Sequence, residues 1–564
     1  MKKKVVSLLL TTSMLAAAVL SGCGKTADTS ADSAAKEPAA EQSAEEQPAA
    51  DSADAAVEES DNSLEEFFEI TYTGYWSDDT YEDESYCENL LEEALNIELE
   101  VVTQSSSSLD SLLATGQMPD CMWGDKDVAF MKENELSRNI PVEMVKKYAP
   151  SFIEYFDENP VLYDYVLDPE NPDEFTCLRG VTLQFVDYYL PNDYYRYDWI
   201  ENLGIDLGVE VEEVYDRIYV AADGIELSKF IEIMDGFVNG DPDGNGQKDT
   251  FGVTAQNLQQ GVFYSGYGFH SGVNNVNGEA EQYYVMEEFK EYLKGFAQLY
   301  ADGLIDPQII ENNRKLSWDK VNTGKAGYWI TSTNSLNTWA ADRPPLTLLE
   351  ADPEAKILLT PGIRPDGGEV QATTNSSPAY GYFFVNANVD DAKLARILQF
   401  VELAIWGDEN TKASLFFGEE GVDWEWGEDG NPVKINILQS GEKGTWTFSQ
   451  HGQEELVTKW TGEEPMFAAG GKYWSENQNG SWMKWQHTQY KEDIKQETEY
   501  AQINTEVGAD ITSYVSSYIA QAVLGQIDVD STWDSYLAEL DRLGYNELMA
   551  ELDKLEPLAD VVSK

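Results

Sequence analysis

Between Phe67 and Thr103 the hydrophobic period changes from two to 3.6 and back to two. Phe67 to Tyr75 alternates and is rich in β-formers, Tyr81 to Leu95 has its apolar residues at helical spacing, and Ile97 to Thr103 reads as a second strand. This β-α-β start commits the ordered part of the chain to an α/β layout. Leu109 to Thr115 then leads into Gly116-Gln117-Met118-Pro119-Asp120, a loop, and on into Cys121-Met122-Trp123-Gly124-Asp125, a short buried strand and its end. In open α/β sheets ligands lie beyond the carboxyl ends of the strands. Trp76, Trp123 and Asp125 fall at such ends.

At 564 residues the chain exceeds one ordinary hydrophobic core, so two or more lobes are expected. Not all of it folds. From Gly24 to Ser63 the sequence is Ala, Ser, Glu, Asp, Gln and Pro with almost no large apolar residue, a composition that cannot offset the entropy of ordering. This segment reads as a flexible acidic tether.

Ahead of the tether, Lys2, Lys3 and Lys4 precede an apolar stretch, Val5 to Leu20, too short and too rich in small residues for a comfortable membrane span. The stretch closes with Leu20-Ser21-Gly22-Cys23, which resembles the lipobox of bacterial lipoproteins. The resemblance implies a signal peptide at 1–22, lipid on the Cys23 sulfur and a tether at 23–63, holding the protein on the extracytoplasmic face of the membrane. No later stretch is long and apolar enough to cross a bilayer.

The formal charge is −66, and the eleven acidic and two basic residues of the tether leave about −60 on the folded part once the signal is removed. A nucleic-acid partner is excluded, because phosphate binding needs a basic footprint. An anionic solute is disfavoured less strongly, since a local pocket can oppose the global field. Cys87, Cys121 and Cys177 are well separated and without CxxC spacing, so they read as buried structural thiols.

Several short motifs follow in a fixed order. Leu190-Pro191-Asn192-Asp193 precedes Trp199-Ile200-Glu201-Asn202-Leu203-Gly204-Ile205, a short helix closed by glycine, and Leu227 to Val238 is a further helix with Ser228 as its cap. Val285 to Tyr300 is strongly amphipathic, with Phe289, Tyr292, Phe296 and Leu299 on one face, and runs into Gly303-Leu304-Ile305-Asp306-Pro307. Gly324 to Ile330 and Tyr380 to Asn386 read as strands, and Asp390 to Trp406 as a helix ended by Gly407. Ser531 and Asp534, in capping-box spacing, open a last helix running to Gly544.

The order of these motifs, with Gly-x-x-Pro-Asp after the second strand, Gly-Leu-Ile-Asp-Pro, Gly324-Lys325-Ala326-Gly327 and Gly418-Glu419-Glu420-Gly421-Val422, resembles the family 1 extracellular solute-binding proteins of ABC importers, in particular their LipO-like and alginate-binding group. The resemblance implies a two-lobed α/β fold of the type II periplasmic-binding-protein class, hinged, with a ligand cleft between the lobes. One lobe is expected to combine 64–187 with about 376–415, the other about 188–375 with 416–564. It also implies a monomer that delivers a sugar or oligosaccharide to ABC permease subunits.

Asp241-Pro242-Asp243-Gly244-Asn245-Gly246-Gln247-Lys248-Asp249 places oxygen-bearing side chains at alternate positions around glycines, which is what a hard cation such as Ca2+ takes. Asp241, Asp243, Asn245 and Asp249 offer side-chain oxygens and Gln247 its carbonyl. Gly252 stands where an EF-hand carries its bidentate Glu, so the loop is not an EF-hand. It resembles the calcium loop of the LipO and alginate-binding group, with Thr250 where that group often has Glu. Its expected role is structural stapling.

Aromatic residues make up 12% of the chain, including 15 Trp. Flat rings suit the C–H faces of sugars while carboxylates and amides take the hydroxyls. Most such rings fill cores, and the cleft candidates are Trp76, Trp123, Asp125 and Trp329, then Trp424 and Trp482. Trp329→Ala is expected to weaken sugar binding beyond its effect on folding. An enzyme is not expected: His270, His451 and His487 lie in no metal-ligand cluster and beside no nucleophile elbow, and 103 acidic residues make any catalytic pair indistinguishable. A surface glycoside hydrolase or lyase, a non-transporting adhesin or sensor, and a transporter for a peptide or other polar solute are the alternatives.

Overall fold

The computed structural model describes residues 64–557 except 75–80, 82, 104–105, 125, 159, 182–190, 222, 256–262, 337–342, 371–378, 436–459, 461–465, 471–489 and 492–498. Cys23 and the tether lie outside the described residues, and among the described residues no helix is long and apolar enough to cross a membrane.

Among the described residues, twelve strands build the two principal sheets. They are β1 (Phe68–Thr73), β2 (Ile97–Val101), β3 (Cys121–Gly124), β4 (Ser137–Arg138), β5 (Leu178–Val181), β6 (Pro191–Arg196), β7 (Val211–Tyr215), β8 (Ile218–Ala221), β9 (Phe251–Val253), β10 (Ala326–Ser332), β11 (Ile357–Thr360) and β12 (Ala379–Asn386). The first sheet runs β2-β1-β3-β12-β4 with β5 beside β12, and the second runs β9-β10-β6-β11-β8-β7. The β-α-β reading holds: β1 and β2 are parallel, with Phe68 opposite Ile97, and β1 is parallel to β3. The late strand β12 enters antiparallel, setting Phe383 opposite Trp123.

Strand alternation decides which residues form which core. In the first sheet Tyr72, Cys121, Trp123, Phe383 and Val385 face one apolar cluster, while Met122 and Phe384 face another. In the second, Tyr195, Tyr328 and Leu358 point one way and Tyr194, Trp329 and Leu359 the other. Both sheets are therefore buried on both faces, as strands with parallel neighbours and covering helices require.

Helix α1 (Tyr86–Leu95) starts at Ser85, whose hydroxyl accepts the Glu88 N–H at 3.2 Å, and ends on left-handed Asn96. Helix α2 (Leu227–Asn239) departs from the sequence reading. Ser228 lies inside it and caps nothing; its N–H donates to the Asp366 carboxylate at 3.0 Å, so a loop distant in sequence supplies the cap. Helix α3 (Glu287–Ala301) buries Phe289, Tyr292, Phe296 and Leu299 as its spacing requires. Helix α4 (Asp391–Trp406) is capped by Asp390 and packs on the first sheet.

The C-terminal helices α5 (Glu499–Val523), α6 (Val529–Arg542) and α7 (Tyr545–Leu552) join the core of the second sheet through residues such as Ile519, Trp533 and Leu548. Helix α5 also meets the short helix Val128–Glu133, which belongs to the layer of the first sheet. The α6 cap is Asp528, which accepts the Ser531 N–H at 2.8 Å, three residues before the expected Ser531. Asp in that position is as good a cap as Ser, and the helix starts where the first usable one stands. Cys87, Cys121 and Cys177 are buried, and no disulfide joins them to one another.

Candidate functional site

The sheet registers define an edge on each sheet. In the second sheet the carboxyl ends of β8, β9, β10 and β11 and the amino end of antiparallel β6 lie on the same side, with Pro191 opposite Ser332 and Asp193 opposite Thr360. In the first sheet the carboxyl ends of β1, β2, β3 and β5 lie on one side with the start of β12. The chain leaves the first sheet at the end of β5 and enters the second at the start of β6. It returns after β11 to the start of β12. Both passages join one ligand-type edge to the other.

At the edge of the second sheet stands Asp193, 6% exposed, whose carboxylate accepts the Tyr328 hydroxyl at 2.5 Å. Burial pushes its carboxyl up to about 7, against the lowering effect of that hydrogen bond. Beside it, Thr360 is fully buried, its hydroxyl close to that of Tyr195 but completing no hydrogen bond of good geometry among the described residues. Gly362 follows, with φ at 143°; a Cβ there would stand 3.7 Å from Asp193 Oδ2, 3.6 Å from Ser265 Oγ and 3.1 Å from a Val370 methyl.

Next to β9 the same edge is pinned by a polar network. Asp306 Oδ2 accepts from Thr254 Oγ1 at 3.0 Å, Asn312 Nδ2 at 2.6 Å and Lys320 Nζ at 2.7 Å. The Gly-Leu-Ile-Asp-Pro motif thus supplies the carboxylate that fixes where the strand ends.

The sequence-predicted cleft residues distribute differently from that edge. Trp76, Asp125 and Trp482 lie outside the described residues. Trp123 packs against Phe383 with ring centroids 5.1 Å apart, and Trp329 stacks on Tyr194 at 5.5 Å, its indole N–H completing no hydrogen bond among the described residues. Trp424 donates its indole N–H to the Gly418 carbonyl at 2.8 Å and meets Trp426 edge-on. The three are buried in three separate clusters, so the structure does not bring them together. Asp193, Ser265 and Thr360 are the edge residues the sequence reading missed. The available signals were the Leu190-Pro191-Asn192-Asp193 motif, which ends on Asp193, and the placing of that acid beside Tyr194-Tyr195 in a β-rich run.

The oxygen-rich loop folds as a knot. The Gly246 N–H donates to both Asp241 oxygens at 3.1 Å, Asn245 Nδ2 reaches Asp243 at 2.7 Å and Asp249 at 3.2 Å, and the Gln247 N–H donates to Asn245 Oδ1 at 2.7 Å. Gly244 and Gly246 both take positive φ, as the tight turns need. Lys325 Nζ lies 2.6 Å from Asp249 Oδ2 and holds that carboxyl below its usual range. Thr250 is turned away: its hydroxyl donates to the Phe237 carbonyl at 2.6 Å and offers the loop no oxygen. The donor set is hard and anionic, as calcium requires, yet among the described residues no three acidic, His or Cys side chains converge as a metal-holding group.

No family model matches the chain. Among curated proteins it is similar to lipoprotein LipO of Bacillus subtilis, 22% identical over 470 residues that cover 78% of this chain and 85% of LipO. It is also similar to FusA of Streptococcus pneumoniae, a fructooligosaccharide ABC transporter substrate-binding protein, 26% identical over 39% of this chain and 40% of FusA. Among solved structures, the alginate-binding protein AlgQ2 without calcium ion aligns with a TM-score of 0.67 at 16% identity, covering 86% of this chain and 97% of AlgQ2. FusA in complex with kestose aligns with a TM-score of 0.67 at 15% identity, covering 86% of this chain and 98% of FusA. The resemblance read from the motifs therefore extends across most of the sequence, and the chain has the two-lobed α/β fold of these solute-binding proteins. FusA and AlgQ2 are binding proteins, in keeping with the expectation of a non-enzyme.

Proposed function

We propose that the chain is a lipid-anchored extracytoplasmic substrate-binding protein that captures a sugar or oligosaccharide and delivers it to an ABC permease. The observation that carries this reading is the paired edges: both passages between the sheets run from one set of strand ends to the other, the placement in which an α/β protein of two lobes holds its ligand. The similarity to LipO across most of both chains, and to FusA, supports solute capture and a saccharide ligand.

The lobes on this reading are 64–187 with about 376–415, and about 188–375 with 416–564. Ligand contacts on both favour a closed state, and a permease that recognises that state takes the ligand over. Trp76 and Asp125, which follow the ends of β1 and β3 in the chain, are the contacts from the first lobe. Trp123 and Trp329 back the two edges from within the cores. Cys23 carries the lipid, and the acidic tether gives the lobes reach. The protein acts as a monomer. The loop Asp241–Asp249 binds calcium as a staple, through Asp241, Asp243, Asn245, Asp249 and the Gln247 carbonyl, with fewer acidic ligands than a site carrying Glu in place of Thr250.

The test is calorimetry of the full chain in detergent against a panel of oligosaccharides, with small-angle scattering on any hit. Binding with a smaller radius of gyration is expected, and the glycan is recovered unchanged. A hit that the protein cleaves would establish the enzyme reading instead.

A further inference from the structure

Resting on the saccharide reading, we infer that the ligand is a neutral oligosaccharide and that Asp193 is a specificity-determining residue that rejects uronates. The argument begins with what surrounds the strand ends. Asp193 accepts the Tyr328 hydroxyl on one carboxylate oxygen, and its other oxygen, Ser265 Oγ and a Val370 methyl all lie within 4 Å of where a Cβ at 362 would stand. Thr360, paired with Asp193 in the sheet register, adds a buried hydroxyl that lies beside the Tyr195 hydroxyl without a hydrogen bond of good geometry. A carboxylate oxygen, two hydroxyls, the Gly362 backbone and a Val370 methyl make a lining suited to a sugar, whose hydroxyls donate to Asp193 and accept from Thr360 or Ser265 and whose C–H groups meet the methyl.

A carboxylate ligand meets the opposite situation. It would have to lie near a buried acid whose described partner is a phenol, in a field set by the −66 charge of the chain. Arginine is the usual answer to such a ligand. Two arginines described at these edges are committed elsewhere, and Lys126, just past β3, lies over the Phe130 ring at 5.5 Å. Arg364, two residues past Gly362, donates to the Gly224 carbonyl at 3.0 Å and to Glu226 at 2.9 Å. Arg179, in β5, donates to the Gly381 carbonyl at 2.8 Å and lies over the Tyr382 ring at 3.9 Å. Freeing either one breaks contacts that shape the edge itself.

The experiment titrates the full chain in detergent, at pH 7.5 and moderate salt, with neutral fructo-, gluco-, manno- and xylo-oligosaccharides and with oligogalacturonate and oligomannuronate of matched length. A neutral member is expected to bind at least about tenfold tighter than any uronate. Asp193→Asn should shrink that preference by about tenfold or more, lowering neutral affinity and raising uronate affinity, with thermal melting to verify the fold. Thr360→Val, a second variant of nearly the same shape, should lower neutral affinity and leave the preference for neutral over uronate unchanged. A uronate that binds tightest, or an Asp193→Asn protein with the preference unmoved, overturns the inference. A cooperatively melting protein that binds neither class overturns the saccharide reading itself, a result distinct from uronate preference.

Discussion

Lys320 Nζ lies 2.7 Å from Asp306 Oδ2, and the carboxylate it meets is 1% exposed. The ammonium also donates to Asn312 Oδ1 at 2.7 Å, and Asn312 donates back to Asp306, so three side chains from one loop and one helix close a ring beneath the end of β9. Breaking such a pair leaves a charge without compensation in a dry place. Lys320→Met is expected to cost about 3–5 kcal/mol, more than Asp306→Asn, which keeps the shape and the acceptor of the ring. Chemical denaturation of the two variants checks the order, and equal losses would mean that charge is not what the ring supplies.

Arg396 does the corresponding work for the first sheet. It is fully buried on α4, and its guanidinium donates to the carbonyls of Glu66, Leu95 and Asn96 and to the Gln399 side chain at 2.9 Å. Those carbonyls mark where the chain enters β1 and where it turns from α1 into β2. Arg396→Lys retains charge but cannot reach all of them in one plane, so it should destabilise by about 2–4 kcal/mol. Hydrogen exchange should show the loss first at the amides of β1 and β2. A loss confined to α4 would contradict the assignment.

How far the sequence could carry the reading follows from which interactions are local. Period and spacing alone placed the β-α-β start and the buried face of α3, because those depend on neighbours within a turn or two. The caps of α2 and α6 were misplaced for opposite reasons. Asp366 reaches α2 from far along the chain, invisible to any window, whereas Asp528 was local but lay three residues ahead of an equally good signal. The site suffered most. Flat rings single out Trp123 and Trp329, yet strand alternation turns both into cores, and Asp193 is one of 103 acidic residues, marked only by the register of β6, which carries it to a sheet edge.

Asp193 also gives the fold a pH dependence whose sign is the reverse of the usual carboxylate case. Its folded-state value is raised to about 7 from 3.8, so between those limits the folded chain keeps a proton that the unfolded chain has lost. Stability therefore falls as pH rises from about 4 to 7, by up to about 1.4 kcal/mol per unit and on the order of 4 kcal/mol in all, and is flat beyond. Asp193→Asn keeps an acceptor for Tyr328 and removes the titration. The variant should be close to the parent near pH 4 and progressively more stable than it toward pH 7.5. Parallel urea curves at three pH values measure this, and a constant difference would place the carboxyl in a more polar setting than its burial implies.

The loop at Asp241 offers a test in which the fold itself is the indicator. If calcium joins Asp241, Asp243 and Asn245, the folded chain binds an ion that the unfolded chain does not, and at about 100 times the dissociation constant the gain is about 2.7 kcal/mol. A chelator should then lower the melting temperature, and Asp243→Asn should lower it equally in calcium and abolish the chelator effect. Lys325 supplies the discriminating arm, because its ammonium already occupies one oxygen of Asp249. Lys325→Met releases that oxygen to the ion, so calcium affinity, read by titration of the melting temperature, should rise several-fold while the metal-free protein loses little. An unchanged melting temperature on chelation of the parent would reduce the loop to a hydrogen-bonded turn, held by the Gly246 and Gln247 amides, the Asn245 side chain and Lys325.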